Sequence, residues 1–169
     1  DQRRFIREYL GRFRKALAPE HIRKLQGHAL CGNPLFLLTL LEELRVFGVH
    51  EELGHRLTAL LSPPPCKIEG EPSTVDDIFE HVLARVEEDT GRKNVEAPME
   101  ALWASRAGLY EEELLAFAKI PPARWAVIRN AFDESLYENT GRICFGHDYL
   151  KKAVEDRYQL NGRKERLLH

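Results

Sequence analysis

His147 and Asp148 lie where the pattern of the sequence changes, in the stretch CFGHDYLKKAVEDRY at residues 144–158. Alternation before them predicts a strand, and the apolar spacing after them predicts a helix. Asp148 could accept hydrogen bonds from the free amides of that helix start, which is worth about 1 kcal/mol. His147 has no such task, and an imidazole beside a helix N-terminus can donate to a phosphate oxygen. The alternative, which spacing alone favours, is a partly buried histidine bonded to a backbone carbonyl.

The three cysteines are widely spaced and form no CxxC pair (Cys31, Cys66 and Cys144). Free, reduced thiols in a cytoplasmic protein are the expected state. No second pair of ligands at zinc-like spacing follows His28 and Cys31, so we expect no metal site.

Catalytic patterns are equally sparse. The acidic run Glu111, Glu112 and Glu113 stands where a helix N-terminus favours negative charge. No serine or cysteine has a base at motif spacing, and no GxxxxGK[ST] phosphate-binding loop occurs. We therefore expect a chain that is not an enzyme by itself.

The composition of the chain argues against some classes of binding partner. The 169 residues are 43% hydrophobic and 31% charged, with a net charge of −2. This charge argues against a protein dominated by phosphate contacts, and no stretch approaches the roughly eighteen apolar residues of a membrane span. The basic opening RRFIREYLGRFRK fits a solvated helix face better than a membrane or nucleic-acid patch. Because the chain opens within a helical pattern, we take it to be a piece of a longer polypeptide.

Helical patterns fill the first 61 residues. Pro19 and Pro34 each suit the first turn of a helix, and Gly32 with Asn33 ends the helix before Pro34. Gly48 is expected to end the helix that Pro34 begins. We predict a helical subdomain at 1–61 and a proline-rich linker, SPPPCKIEGEPS, at 62–73.

Residues 74–160 predict a second domain. Thr74 marks a helix start, and Pro98 predicts that another helix begins close to it. After two further helices, LYENTGRICF alternates around a polar turn and predicts a short β-hairpin before the last helix. Helices, a small hairpin and a final helix follow the order of a winged-helix domain. A basic tail is expected at 161–169, and the sequence has no internal repeat.

Three stretches together resemble a known family: GNPLFLLTLLEELRVFG, WASRAGLYEEELLAF and FGHDYLKKAVEDRY. They are similar, in order, to the helical lid and winged helix of STAND-class P-loop ATPases, the group of NACHT and NB-ARC signalling proteins. The resemblance implies a mainly α fold, a helical lid subdomain followed by a winged-helix domain with a short β-hairpin.

The resemblance also implies a function and site residues. Pro34, after Gly32 and Asn33, corresponds to a proline near the adenine, and His147 before Asp148 to a histidine at the ADP β-phosphate. Gly146 replaces the methionine that the family has before this histidine. The implied role is a regulatory fragment that senses ADP or ATP and controls a switch from a closed to an oligomeric state.

Under this hypothesis the partners are an upstream nucleotide-binding domain of the same chain, which would also hold magnesium, and other copies of the activated protein. The alternative is a winged-helix nucleic-acid-binding module with the helix PARWAVIRNAFDESLY in the major groove. Arg124 and Arg129 there are offset by Asp133 and Glu134, so nucleic acid is the less favoured partner.

Overall fold

The structure is a computed structural model that describes residues 1–47, 52–65, 67, 71 and 73–162. The predicted helix end at Gly48, the cysteine Cys66 and most of the tail at 161–169 lie outside these residues. The described chain is mainly α-helical with one small antiparallel sheet, as the sequence predicts. It divides into two compact units, residues 1–78 and the residues from Phe79 onward.

The first unit is helical. Its elements are α1 (Gln2–Gly11), α2 (Pro19–Gly27), a 3-10 turn (Ala29–Gly32), α3 (Pro34–Val46) and α4 (Leu53–Leu61).

Each helix of the first unit buries one apolar stripe. Ile6 of α1, Leu25 of α2 and Leu40 of α3 are all completely buried, as the helical spacing of apolar residues requires. The Lys15 ammonium donates to the backbone carbonyls of Arg45 and Phe47, so it satisfies acceptors left free at the end of α3.

The second unit combines helices with the sheet. Its elements are α5 (Asp77–Thr90, from Phe79 on), α6 (Arg92–Ala104), β1 (Leu109–Tyr110), α7 (Glu111–Ala118), α8 (Pro122–Ala131), β2 (Leu136–Asn139), β3 (Arg142–Phe145) and α9 (Asp148–Arg157).

The predicted hairpin is present as β2 and β3, which pair antiparallel from Leu136 opposite Phe145 to Asn139 opposite Arg142. Strand β1 was not predicted, because two residues are too few for alternation to show. It pairs with the other side of β3, which gives the sheet order β1-β3-β2.

The prediction for Pro98 is wrong. Pro98 lies inside α6, which begins six residues earlier at Arg92. Such a proline removes one helical hydrogen bond and normally weakens or kinks a helix. Here Val95, Pro98, Met99 and Leu102 are all buried on α6, so the apolar packing of that face offsets the loss.

An ionic cluster joins α5 to α9 inside the second unit. The Arg157 guanidinium donates to Glu80 at 3.0 Å and to Glu87 at 2.6 Å, and each carboxylate side chain is only 8% exposed. Burial would raise the pKa of Glu87, but hydrogen bonds from Arg157 and Tyr158 outweigh it and lower that pKa. Burial raises the pKa of Glu80, and the same arginine offsets only part of this shift. Arg157 therefore compensates two carboxylates that burial alone would destabilise.

Candidate functional site

The GNP residues form a helix start in the first unit. The Asn33 carboxamide oxygen accepts from the amides of Leu35 at 2.9 Å and Phe36 at 3.2 Å, which caps α3. Pro34 is the first helical residue, where no amide partner is needed, and it is exposed. Gly32 ends the preceding 3-10 turn, and a Cβ added there would meet no atom within 4 Å. Local capping therefore accounts for Asn33 and Pro34.

His147 caps α9 in the second unit. Its Nδ1 accepts a hydrogen bond from the amide of Leu150 at 3.2 Å. Asp148 is the first residue of the helix and is exposed. The prediction that Asp148 accepts the first-turn amides while His147 has no structural task is therefore wrong. The physical reason is that an unprotonated imidazole nitrogen is an acceptor, so a histidine can perform the task of a capping carboxylate.

The imidazole ring is half-buried and packs on Phe79, with 4.8 Å between the ring centroids. Burial lowers the pKa of His147, and the neighbouring Asp148 carboxylate opposes only part of that shift. Because Nδ1 accepts from Leu150, the proton of the neutral ring resides on Nε2. This Nε2–H is buried and has no acceptor among the described residues.

A cavity of about 620 Å³ opens beside His147. Its walls are the turn between α6 and β1, the β2–β3 hairpin and the first turn of α9. We call it the hairpin pocket. The polar groups on its walls come from Ser105, Arg106, Tyr137, Asn139, Cys144, His147, Asp148 and Lys151.

Gly108 allows the turn to approach the sheet at the wall of the pocket. Its φ is +76°, and an added Cβ would stand 2.3 Å from the Cys144 sulfur and 2.6 Å from the carbonyl oxygen of Ile143. Only glycine combines this conformation with this lack of space. The close approach lets β1 pair with β3 through Leu109 and Ile143, and it places Arg106 and Ser105 at the pocket wall.

The reactive groups of the pocket form no catalytic pair. The Cys144 thiol is free, and its polar contacts are the carbonyl oxygens of Ala107 at 3.7 Å and Arg142 at 3.8 Å. The Ser105 hydroxyl is buried without a partner among the described residues. A nucleophile needs a base within hydrogen-bond reach, and the Nδ1 of His147 is engaged by Leu150. Among the described residues, the pocket therefore shows no activated nucleophile.

Two cations line the pocket without acidic partners. Within the described ranges, neither Arg106 nor Lys151 has an ion pair or a side-chain hydrogen bond. By contrast, the Arg129 guanidinium of the same unit donates to Glu111 at 3.1 Å and to Glu138 at 2.9 Å. Arg106, Lys151 and Tyr137 were not predicted as site residues from the sequence. The only available signal was the helix-ending SRAG at residues 105–108, which places an arginine just before a glycine turn.

Clusters of metal ligands and helices able to span a membrane are both absent from the described residues. The part of the chain that the structure describes holds no group of three or more His, Cys, Asp or Glu side chains that could bind a metal ion. Among these same residues, no helix has both the length and the apolar character that a bilayer crossing demands. The first unit has a smaller cavity of about 290 Å³, lined mainly by apolar groups that include Leu10, Leu44 and Phe47.

The chain is similar in sequence to part of a much longer protein. A protein of Dictyostelium discoideum, described as TPR repeat-containing, is 27% identical to the chain over 164 residues. The match covers 94% of this chain and 9% of that protein. The chain therefore spans less than a tenth of the length of the relative that it matches. No family model matches the chain, and neither does any solved structure.

This relative overturns the resemblance to STAND-class ATPases and the function drawn from it. Its description names helical repeats and not an ATPase, so the prediction of a nucleotide-sensing NACHT-like regulatory fragment is wrong. The nucleic-acid-binding alternative finds no support either. The physical reason lies in the motifs, because Asn33, Pro34 and His147 serve helix starts that unrelated helical proteins also need. The upstream ATPase domain expected as a partner is not supported either. The expected nucleotide contacts at Pro34 and His147, with ADP or ATP as the ligand, stay untested predictions.

Proposed function

We propose that the chain is a non-catalytic, protein-binding part of a larger protein built around helical repeats. The observation that carries this proposal is the alignment of 94% of the chain with a TPR repeat-containing protein. Repeat proteins of this kind stack helices into extended surfaces that bind other proteins. The partners and activity of the whole protein are part of the same proposal.

The surface of the second unit supports a binding role. Phe117 of α7 is 67% exposed and Val127 of α8 is 55% exposed, and both are large apolar side chains. Single exposed apolar residues are ordinary, but Tyr110, Tyr137 and Tyr149 of the same unit are exposed as well. Aromatic side chains are enriched at protein interfaces. The absence of a nucleophile–base pair in the hairpin pocket favours binding over catalysis in the described residues.

We further propose a winged-helix arrangement for the second unit, used here to bind protein. The sheet order β1-β3-β2, with β1 before two helices and the hairpin after them, supports it. The division into 1–61, 62–73, 74–160 and 161–169 also remains a proposal. The term lid for 1–61 came from the ATPase resemblance and is withdrawn with it. The free thiols of Cys31 and Cys144 favour a cytoplasmic protein.

The test uses the full-length protein, purified from its own cells with its partners. We compare the wild type with a Phe117→Ser, Val127→Thr variant, whose substitutions are at exposed positions. The matched control is Lys93→Gln with Arg124→Gln, also at exposed positions. A captured partner is then purified and titrated directly against the three proteins.

We expect a partner whose affinity falls about tenfold or more in the apolar variant and stays unchanged in the control. Circular dichroism should show equal helical content in all three proteins. Equal affinity for every captured partner across the three proteins would refute binding through Phe117 and Val127, and failure to capture any partner would refute the proposed function.

A further inference from the structure

The charge of the hairpin pocket is unbalanced. Arg106 and Lys151 carry two positive charges without partners in the described residues, and Asp148 supplies one negative charge. Other cations of this unit are paired with carboxylates, as Lys152 is with Asp156 at 2.6 Å and Arg157 with Glu80 at 3.0 Å. Unpaired cations that line one cavity attract a ligand that carries negative charge.

The pocket is also lined by polar groups without partners. The Nε2–H of His147 and the hydroxyl of Ser105 are both buried without a partner in the described part of the chain. Guanidinium and ammonium groups donate and cannot accept. A ligand that supplies acceptor oxygens would therefore complement Arg106 and Lys151.

The shape of the site suits an extended chain. Strand β2 is at the edge of the sheet and pairs only with β3 among the described strands. Tyr137 and Asn139, two residues apart on β2, both line the pocket, and Tyr137 is 49% exposed. An open sheet edge beside a pocket for alternate side chains is a recurrent way to bind a peptide. Sites for small ligands are mostly apolar, unlike this one.

We propose that the hairpin pocket binds an extended, acidic peptide segment of a partner protein. Arg106 and Lys151 contact its carboxylates, and Tyr137 packs on its side chains. This inference rests on the proposed protein-binding function and adds the chemistry of the partner. Nucleic acid fits less well, because Asp148 lies among the cations and the whole chain has a net charge of −2.

The probe is a fluorescein-labelled peptide of eight residues that alternates Glu with Val, and its matched control replaces every Glu by Gln. Fluorescence anisotropy measures the binding of both peptides to the full-length protein. The pocket variant is Arg106→Gln with Lys151→Gln. The control variant is Lys93→Gln with Arg124→Gln, which removes the same charge from exposed positions that do not line the pocket.

We expect the Glu peptide to bind about tenfold more tightly than the Gln peptide. The pocket variant should lose this difference, and the control variant should keep it. Binding of the Glu peptide should weaken when the salt concentration of the assay is raised from about 50 mM to about 200 mM, because the contacts are ionic. In a second measurement, the bound Glu peptide should slow the alkylation of the Cys144 thiol, because Cys144 lines the pocket.

Three results would overturn the inference: equal affinity for the two peptides, equal losses in the two variants, or tighter binding of a single-stranded oligonucleotide of equal charge. The proposed function is judged separately by the captured partner. If that partner still binds through the exposed apolar residues while the Glu peptide does not bind, only the acidic chemistry is withdrawn. If both fail, the protein-binding function falls as well.

Discussion

His147 combines two structural roles at one position, a cap for α9 and a packing surface for Phe79. His147→Ala removes both, whereas His147→Asn keeps a side chain that caps helices well. We expect the Ala variant to be less stable than the Asn variant by about 1 kcal/mol in urea unfolding. Equal stability of the two variants would show that the bond to Leu150 contributes nothing.

The protonation of His147 should make stability depend on pH. Burial lowers its pKa in the folded chain below the ordinary value of 6.5. As the pH falls through that ordinary value, the unfolded chain binds a proton before the folded chain does, so the free energy of unfolding decreases. When the pH of the assay is lowered from about 7 to about 5, the free energy of unfolding should decrease more in the wild type than in His147→Asn. The difference between the two proteins cancels the contribution of the other histidines, and parallel curves would contradict the prediction.

Arg157 should contribute more to the free energy of unfolding than any exposed cation of the second unit. Arg157→Ala leaves Glu80 and Glu87 buried without their partner, and loss of one member of a buried ionic cluster costs about 3–5 kcal/mol. Lys152→Ala removes an exposed pair with Asp156 and should cost less than about 0.5 kcal/mol. Urea unfolding of both variants measures the contrast. Similar small losses would mean that the cluster does not hold α5 to α9.

At the level of elements, the turn between α6 and β1 depends on one glycine. Gly108→Ala would force a side chain into a left-handed conformation against Cys144 and Ile143, and we expect a loss of about 2–3 kcal/mol. Gly27→Ala, where nothing lies within 4 Å, should change stability by less than about 0.5 kcal/mol. Thermal unfolding compares the two. An equal, small effect would show that the turn adapts to a side chain.

Much of the element order could be predicted, because helical spacing and proline punctuation act locally. The starts of α2 and α3 at Pro19 and Pro34 follow from a residue that needs no amide partner. Pro98 could not be placed the same way, since the packing of α6 outweighs its local preference. Strand β1 exists only through its pairing with distant β3, which no local pattern shows.

The candidate site was less predictable than the fold. His147 and Asp148 were recognised as unusual, but their roles depend on which side chain turns toward the amide of Leu150. Arg106 and Lys151 are 45 residues apart in the sequence, and only the folded turn and hairpin bring both to one cavity. Residues that meet through tertiary structure leave no spacing for sequence analysis to detect.

At the scale of the whole molecule, the chain is, as we propose, one part of a larger protein like its TPR repeat-containing relative. It spans 9% of that relative, so its partner must be identified with the full-length protein. If this chain binds the partner, its own backbone amides must exchange more slowly with solvent when the partner is bound. Slower exchange in other parts of the protein alone would not support a binding role for the chain.

Hydrogen exchange of the full-length protein, measured with and without its purified partner, tests this most directly. We predict slower exchange on binding at the α6–β1 turn, the β2–β3 hairpin and the start of α9, where the hairpin pocket lies. Backbone amides of α1 (Gln2–Gly11), in the first unit, serve as the internal reference and should exchange at the same rate. Unchanged exchange throughout the 169 residues, with the partner bound, would contradict the protein-binding function.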